Sequence, residues 1–486
     1  MNITSRFLPG ARRPPAAGIR HPWIGPRRPR LRLGLLLVLT LLASSLLCFA
    51  RPPNFVIILA DDLGYGDLGC YVHPSIRTPN LDRMAAEGLR FTDFYSTAEV
   101  CTPSRAALLT GRYPVRSGMC GEKRRVLWTF AQSGLPQEEI TLAEALQARG
   151  YATAHIGKWH LGRLPQFNPT RHGFDRHFGL PHSNDMTSRT NLPPGEVASL
   201  NPRNEFFEVP LRRNDTVIET VPDQSTLTRR YTEESLQFIR ENRQRPFLLY
   251  LAHTFPHVPL FASPAFRAKS PRGLYGDVVE ELDGSVGHIL EALRREGLER
   301  NTLVLFTSDN GPWLTQKLAG GSAGLLRDGK GSTYEGGMRV PCIVRWPGKI
   351  KPGSVTRELA CQLDLFPTCL ALAGVPLPRD RAIDGFDLAP LLFEGRPSPR
   401  QVFFYYRGTQ LYAARQGPYK AHFVTRAAYG KDEPQRHDPP LLFHLGHDPS
   451  ERFDIATNHL EVLADIARAV ERHRAQLTVA KSQLDE

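Results

Sequence analysis

The sequence has no CxxC pair and no cysteine–histidine spacing typical of zinc binding, although it contains seven cysteines. A zinc finger and a thioredoxin-like redox site are therefore excluded. Internal repeats and low-complexity tracts are also absent after residue 50, which argues against a solenoid and against long disordered segments. With 486 residues, 41% of them hydrophobic and 23% charged, the chain can build a well-packed core in one large domain with a smaller companion.

Acidic residues are absent from residues 1–50, which carry eight arginines. The formal net charge is +12, and subtracting those eight leaves +4 for residues 51–486, so the chain does not indicate a nucleic-acid partner. An apolar run over residues 33–47 follows this basic stretch, is short for a membrane span, and ends near a plausible cleavage site at Ala50. We predict a cleaved leader over residues 1–50, with an uncleaved signal anchor as the alternative. The mature protein is then extracytoplasmic (secreted, lysosomal or periplasmic) and has no stable membrane span.

Six cysteines follow the leader. In an oxidising compartment they can form three disulfides, and if Cys101 has another role, one of the other five is left free. The six are Cys70, Cys101, Cys120, Cys342, Cys361 and Cys369.

Short, continuous apolar runs alternate with helical patterns along the chain. Continuous rather than alternating hydrophobicity is typical of parallel strands that are buried on both faces. Between the runs, Thr141 and Glu144 form a capping box that marks the start of a helix. This alternation predicts an α/β fold with a large, mostly parallel central sheet flanked by helices. The four clearest runs are Phe55–Ala60, Ala152–Ile156, Phe247–Ala252 and Leu303–Thr307.

A stretch rich in proline and glycine, from about residue 375 to 400, indicates a boundary. We predict a main domain over residues 51–395 and a smaller C-terminal subdomain over 396–486. The subdomain contains several short strand patterns, which predict a small antiparallel sheet. A helical pattern from Asn458 to Leu484 is expected to pack on that sheet.

Each of the four runs is followed at once by polar residues. In open parallel sheets, ligands bind at the carboxyl ends of the strands, so these residues are expected to converge. Three carboxylates and an amide oxygen among them suit a hard cation, Ca²⁺ or less favourably Mg²⁺. Taken alone, Asp61-Asp62 and Asp309-Asn310 are each equally typical of a turn. The oxygen-bearing residues are Asp61, Asp62, Asp309 and Asn310, and the others are Lys158, His160, His253 and His257.

Cys101 begins the segment CTPSRAALLTGR. Pro103 fits the first turn of a helix, which places Cys101 at a helix N-terminus, where backbone N–H groups favour anions. A cysteine in that position is expected to have a lowered pKa and to act as a thiolate nucleophile. It can equally be half of a disulfide, and the residues alone leave both interpretations open.

The segment resembles the signature of the formylglycine-dependent type I sulfatase family, C-x-P-S-R followed by L-T-G-R. The resemblance extends from about residue 52 to the end and is greatest to the arylsulfatase A and N-acetylgalactosamine-6-sulfatase branch. It implies an alkaline phosphatase-like fold with the catalytic site in residues 51–395. Further matching stretches are Asn54–Gly69, Gly157–Gly162, Thr307–Pro312, Gly329–Gly337 and Tyr419–Phe423.

This resemblance implies a mechanism for sulfate ester hydrolysis. A separate maturation enzyme oxidises Cys101 to formylglycine, and one hydroxyl of the hydrated aldehyde attacks the sulfate sulfur. His257, with Lys330 as a second candidate, protonates the departing alcohol, and His160 then deprotonates the remaining hydroxyl to expel sulfate. Arg105, Lys158 and Lys330 stabilise negative charge. Calcium is held by the four oxygen-bearing residues, and Ser183, Lys158, His257 and Lys330 bind the substrate.

The sequence departs from the branch at Asp328, where relatives often carry a cysteine. His422 either lines the pocket or is a packed strand residue, and the basic cluster at 123–125 either borders the pocket or is a solvated loop. Two other functions stay open: a phosphatase or phosphodiesterase of the same superfamily, or a secreted, non-catalytic binder of sulfated glycans. The predicted partner is a sulfated sugar, lipid or aryl compound, and an oligomer is compatible with the sequence.

Overall fold

The computed structural model describes residues 22–23, 51–187, 199–430 and 432–486. Residues 51–486 form one compact unit. The predicted apolar leader run and cleavage site near Ala50 lie outside the described residues. Within the described ranges, none of the helices combines the length and the apolar character that a membrane span requires.

Ten strands form one large sheet, and two short strands pair separately. Along the chain, the twelve strands are β1 (Asn54–Ala60), β2 (Leu89–Phe91), β3 (Phe94–Tyr95), β4 (Ala152–Lys158), β5 (Arg176–Leu180), β6 (Leu211–Arg213), β7 (Thr216–Glu219), β8 (Phe247–Ala252), β9 (Thr302–Ser308), β10 (Cys342–Arg345), β11 (Ser354–Thr356) and β12 (Ala360–Cys361). The large sheet has the order β11-β2-β10-β9-β1-β8-β4-β5-β6-β7, and β3 pairs with β12. The central strands β9, β1, β8, β4 and β5 are all parallel to their neighbours in that series.

Strand β1 shows why the centre of the sheet is continuously apolar. Val56, Ile58 and Ala60 pack into the hydrophobic core on one face of the sheet. Phe55, Ile57 and Leu59 pack into the core on the other face, because successive side chains of a strand point to opposite sides. The prediction of a large, mostly parallel sheet buried on both faces is therefore confirmed.

Helices cover both faces of the large sheet. The capping box is present, because the Thr141 side chain accepts from the backbone N–H of Glu144 and the Glu144 carboxylate accepts from that of Thr141. The α-helices of the described residues are α1 (Pro79–Ala86), α2 (Cys101–Thr110), α3 (Pro114–Ser117), α4 (Leu142–Gln147), α5 (Leu227–Glu241), α6 (Leu274–Arg295), α7 (Glu335–Met338), α8 (Leu365–Leu372), α9 (Ala389–Glu394) and α10 (Leu460–Ala475).

A four-stranded antiparallel sheet follows, in the order β13-β14-β15-β16, as predicted. Its strands are β13 (Val402–Arg407), β14 (Gln410–Gln416), β15 (Tyr419–Thr425) and β16 (Gln435–His444), and α10 packs on it. Apolar residues of this sheet share a core with residues near α2. The positions of the domain boundaries remain a prediction.

Two expectations are corrected. The C-terminal helix ends at Ala475 rather than near Leu484, because the tail bonds to an earlier segment: the N–H of Ala480 donates to Val115 O, and that of Gln483 donates to Gly118 O. The six described cysteines form no disulfides with one another. Five of them are buried and behave as small apolar side chains.

Candidate active site

Four neighbouring strands deliver polar side chains to one edge of the large sheet. Asp309 follows β9, Asp61 follows β1, His253 follows β8, and Lys158 is the last residue of β4. These strands are parallel, so their carboxyl ends lie side by side. The sequence pattern had placed these residues together, and the structure does the same.

Helix α2 adds a fifth element to this edge. Val100 precedes the helix in an extended conformation, and Cys101 is its first residue and is buried. Arg105 lies one turn later, on the same side of the helix as Cys101. Its guanidinium donates to Asp309 Oδ2 at 2.9 Å and to the carbonyl of Lys158 at 2.7 Å, so α2 is tied to two of the strand ends.

Three carboxylates lie together with three cations. Asp61 pairs with Lys158 and, at 3.4 Å, with Arg105. Asp62 pairs with Lys330 at 2.7 Å. All these side chains are buried, with exposed fractions of 4% or less. Ion pairs with so little water around them act strongly on their neighbours.

The carboxylates crowd one another. Burial and the negative charge of Asp61 raise the pKa of Asp309. Burial also acts to raise the pKa of Asp61, but the positive charges of Lys158, His257 and Arg105 outweigh it and hold that pKa below its usual range. A divalent cation relieves this kind of crowding, because it favours the ionised form of each carboxylate.

Orphaned oxygens in the cluster also fit a metal ion. Asp61 Oδ1 and Asn310 Oδ1 are buried and have no hydrogen-bond partner among the described residues. Asn310 is held by its amide nitrogen, which donates to Asp62 Oδ1 at 2.7 Å and leaves its oxygen free. Asp61, Asp62 and His257 each offer a ligand atom within 4.8 Å of the others. The site therefore has the ligands to bind a metal ion.

His257 and Lys330 lie beside Asp62. The Nδ1 of His257 is 2.5 Å from the carbonyl of Val258, which directs Nε2 toward Asp62 Oδ2 at 3.7 Å. Burial and Lys330 lower the pKa of His257, although Asp62 and Asp61 act in the opposite direction. Burial alone would lower the pKa of Lys330, but Asp62 raises it well above its ordinary value, so this ammonium stays charged.

His160 contacts the first turn of α2. Its Nε2 is 2.9 Å from the carbonyl of Leu127, and its own carbonyl accepts from Thr102 Oγ1 at 3.1 Å. Its Nδ1 is buried without a partner in the described part of the chain. Burial, Lys158 and Arg105 hold the pKa of His160 well below its ordinary value, so the ring is neutral and Nδ1 is available to accept a proton.

Ser183 lies three residues beyond the end of β5, next to the strand that carries Lys158. Its hydroxyl is buried and has no hydrogen-bond partner among the described residues. A buried, unpartnered hydroxyl at this edge is consistent with the predicted role in substrate binding.

The expectation of a lowered pKa for Cys101 is corrected. Burial raises the pKa of its thiol, and the lowering influence of Lys158 and Lys330 is opposed by Asp61 and Asp309. Desolvation outweighs the two lysines at this position. An unmodified Cys101 is therefore a poor thiolate nucleophile.

Two aromatic residues at the site escaped the sequence analysis. The Trp313 ring lies 4.4 Å from the Lys330 ammonium and 5.5 Å from the His257 ring. Tyr429, between β15 and β16, stacks on Trp313 with centroids 5.3 Å apart. Trp313 follows the Asp309-Asn310 pair by three residues, which was a usable signal, whereas nothing in the sequence placed Tyr429 at this edge.

The two ambiguous motifs are also placed. His422 is fully buried and bonds Glu451 at 2.6 Å, so it is a packed strand residue rather than a pocket residue. The basic cluster divides, because Arg124 donates to the carbonyl of Glu486 while Arg125 pairs with Glu99 at 2.8 Å and lies over Tyr429. Only Arg125 of these two lies by the aromatic pair.

The chain is similar to known sulfatases over most of its length. A sulfatase family model matches residues 53–375, and a model of the C-terminal region of aryl-sulfatase matches residues 398–486. Human arylsulfatase A is 46% identical over 472 residues, which cover 92% of this chain and 91% of that protein. Human N-acetylgalactosamine-6-sulfatase is 42% identical and covers 90% of this chain and 88% of its own length.

Solved structures support the same fold. The crystal structure of the PsFucS1 sulfatase from Pseudoalteromonas superposes with a TM-score of 0.79 at 30% identity, covering 93% of this chain and 97% of that one. A phosphonate monoester hydrolase of Agrobacterium radiobacter gives a TM-score of 0.61 at 21% identity and shares the fold alone. The alkaline phosphatase-like fold and the arylsulfatase A branch predicted from the sequence are confirmed. The chain belongs to the sulfatase family and is a sulfuric ester hydrolase.

Proposed function

We propose that this enzyme hydrolyses sulfate monoesters at residue 101, after a separate maturation enzyme has oxidised Cys101 to formylglycine. One observation carries the proposal. Cys101 is the first residue of α2, and the charges of Lys158, Lys330, Asp61 and Asp309 all act on its thiol. A nucleophile in this position attacks a sulfuryl group whose charge the two lysines neutralise. The raised pKa of the unmodified thiol is a further reason to expect a different nucleophile there.

The metal in this proposal is calcium, held by Asp61, Asp62, Asp309 and Asn310. When bound, the ion would polarise the sulfate oxygens and lower the pKa of the nucleophile. An all-oxygen set with the two orphaned oxygens of Asp61 and Asn310 suits calcium better than magnesium, which keeps more of its water. His257 is then free to act on the substrate rather than on the ion.

The modified residue supplies one hydroxyl that attacks sulfur and a second whose deprotonation expels sulfate and restores the aldehyde. Arg105, Lys158 and Lys330 stabilise the charge on the sulfuryl oxygens, and Ser183 donates a hydrogen bond to the sulfate. The Nδ1–H of His257 donates to Val258 O, so His257 gives a proton to the departing alcohol from Nε2 in its doubly protonated form. Lys330, whose ammonium stays charged, is the second candidate for this role. His160 accepts the proton of the second hydroxyl on Nδ1, which has no other partner among the described residues.

The test combines mass spectrometry with turnover. The peptide that contains residue 101 is expected to carry an aldehyde, and purified protein is expected to release sulfate from 4-nitrophenyl sulfate. Cys101→Ser is expected to react once, because it forms a sulfate ester that lacks the second hydroxyl, whereas Cys101→Ala is expected to be inactive. An intact thiol in fully active protein would overturn the proposal.

A parallel assay with 4-nitrophenyl phosphate separates this enzyme from a phosphatase of the same superfamily. Failure to turn over either ester, combined with retained binding of sulfated sugars, would instead favour the non-catalytic binder.

We also propose an extracytoplasmic location, and the predicted leader over residues 1–50 supports it. Two measurements test this location. Residues 1–50 are fused to a reporter enzyme that is inactive in the cytoplasm, and the N-terminus of the mature protein is expected near residue 51.

A further inference from the structure

Trp313 and Tyr429 form an aromatic wall beside the proposed site. Their rings stack with centroids 5.3 Å apart and planes inclined by 29°. Trp313 comes from the segment after β9, whereas Tyr429 comes from the loop between β15 and β16 of the C-terminal sheet. A segment that follows the large sheet's β9 and a loop of the C-terminal sheet thus each contribute one ring to this wall.

The wall contacts His257, the proposed proton donor to the departing alcohol, and Lys330, the second candidate for that role. The Lys330 ammonium lies 4.4 Å from the centre of the Trp313 ring, and the His257 ring lies 5.5 Å from it. Arg105 and Lys158 pair with Asp61, whereas Lys330 and His257 lie beside Asp62. Because His257 is the proposed proton donor to the departing alcohol, its contact with Trp313 assigns the wall to the leaving-group part of the site.

Several contacts hold Tyr429 in place. Its backbone is left-handed, with φ of +48°, a conformation that surrounding contacts must stabilise. The carboxylate of Asp328 accepts from the N–H of neighbouring Ala428 at 3.0 Å, and the Arg125 guanidinium lies 5.3 Å from the ring centre. Gly331, next to Lys330, leaves room for the ring: a Cβ there would lie 3.0 Å from Tyr429 Cε2.

The protein holds the two rings of the wall in place, and part of their surface is exposed to solvent. The Tyr429 side chain is 42% exposed, and Trp313 is half-buried. The indole N–H of Trp313 is buried but lacks an acceptor within the described ranges. An exposed aromatic surface is suited to a ring that has a flat apolar face.

We propose that the Trp313–Tyr429 wall binds the ring of the alcohol that carries the sulfate, and so selects cyclic sulfate esters over acyclic ones. Aromatic rings and pyranose sugars share the required flat face, and both are accepted by this chemistry. Asp328 is a positioning residue, because it acts through the backbone of Ala428. This inference rests on the proposed sulfatase site and adds the part of the substrate that the site recognises.

The test separates the ring from the sulfate. Trp313→Ala and Tyr429→Ala are assayed with 4-nitrophenyl sulfate and with a pyranose monosulfate, and inorganic sulfate and ethyl sulfate are measured as competitive inhibitors. Loss of one stacking contact is expected to raise KM for the ring substrates about tenfold. The inhibition constants of inorganic sulfate and ethyl sulfate are expected to stay unchanged.

Three further variants serve as controls. Trp313→Phe keeps a stacking surface and is expected to recover most of the affinity, whereas Phe453→Ala removes an exposed ring outside the wall and is expected to change nothing. Asp328→Ala is expected to raise KM for ring substrates without changing the inhibition by sulfate. An unequal response of the aryl and pyranose substrates identifies which ring the wall prefers, and still supports the proposal.

Two results would overturn it: unchanged KM values in both alanine variants, or equal losses for ring substrates, sulfate and ethyl sulfate. The second result would mean that the wall only shapes the sulfate pocket. Absence of sulfate release by the wild-type enzyme is a separate failure. It would refute the proposed function and not merely the role of the wall.

Discussion

The Nε of Arg105 donates to Oδ2 of Asp309 at 2.9 Å, and both side chains are buried. The same guanidinium also reaches Asp61 and the carbonyl of Lys158. One side chain of α2 thus joins three strand ends, one helical turn from Cys101. Its planar fork can make these contacts at once, which a single ammonium cannot.

We expect Arg105→Lys to be strongly destabilising. The lysine keeps the charge but leaves part of the carboxylate cluster unpaired in a buried site, which costs about 3–5 kcal/mol. Urea unfolding measures this loss. The matched control is Arg229→Lys, which alters an exposed pair with Glu233 and is expected to cost less than about 1 kcal/mol. If both variants lost the same unfolding free energy, burial would not be the reason why Arg105 stabilises the protein.

Removal of the metal is expected to lower the melting temperature and abolish activity. A bound ion stabilises the folded state by about 2.7 kcal/mol at a free concentration one hundred times its dissociation constant. Thermal unfolding with a chelator, followed by addition of Ca²⁺ or Mg²⁺, measures this effect. Ca²⁺ is expected to restore more stability than Mg²⁺. The chelator is expected to lower the melting temperature of Asp61→Asn less than that of the wild type. A chelator-insensitive wild-type protein would contradict the metal site.

Lys420 is the centre of a second buried charge cluster, between α7 and the C-terminal sheet. Its ammonium lies 2.9 Å from Glu335 and 3.0 Å from Glu451, and it donates to the carbonyl of Thr333 at 2.8 Å. We expect Lys420→Met to cost about 3–5 kcal/mol, because it leaves two buried carboxylates without their shared cation. Denaturant unfolding is the measurement.

A double variant separates charge from packing in this cluster. Adding Glu335→Gln to Lys420→Met removes one of the unpaired carboxylates and is expected to recover part of the lost stability. Strictly additive losses in the two single variants and the double variant would exclude electrostatic coupling. They would indicate that Lys420 contributes through its packed side chain.

Much of the site followed from local sequence patterns. Asp61, Lys158 and Asp309 each end a continuous apolar run, and a parallel sheet necessarily brings such ends to one edge. Thr141 and Glu144 predicted the start of a helix, because all residues of a capping box lie within four positions of the sequence. Pro103, which lies in the first turn, likewise predicted the helix that begins at Cys101.

The features that the sequence did not predict depend on contacts between distant segments. Tyr429 reaches the site because its loop is anchored to Asp328, about one hundred residues earlier in the chain. The C-terminal helix stops at Ala475 because the tail bonds to the segment around Val115. The pKa of Cys101 depends on how deeply the surrounding elements bury it, which the helix position alone does not reveal.

The last prediction concerns acid stability and a histidine that has no part in the proposed chemistry. Burial lowers the pKa of His253 to about 3, and its ring Nε2 lies 3.4 Å from the Ser285 hydroxyl. Below about pH 6.5 the unfolded chain takes up a proton at this position while the folded protein does not, so stability falls as the pH falls toward 3. One such histidine costs about 2 kcal/mol between pH 7 and pH 5. In His253→Gln the difference in unfolding free energy between these two pH values is expected to shrink by that amount, whereas His288→Gln, on the exposed side of α6, is expected to leave it unchanged. An unaltered pH dependence in His253→Gln would show that this ring is not kept neutral by burial.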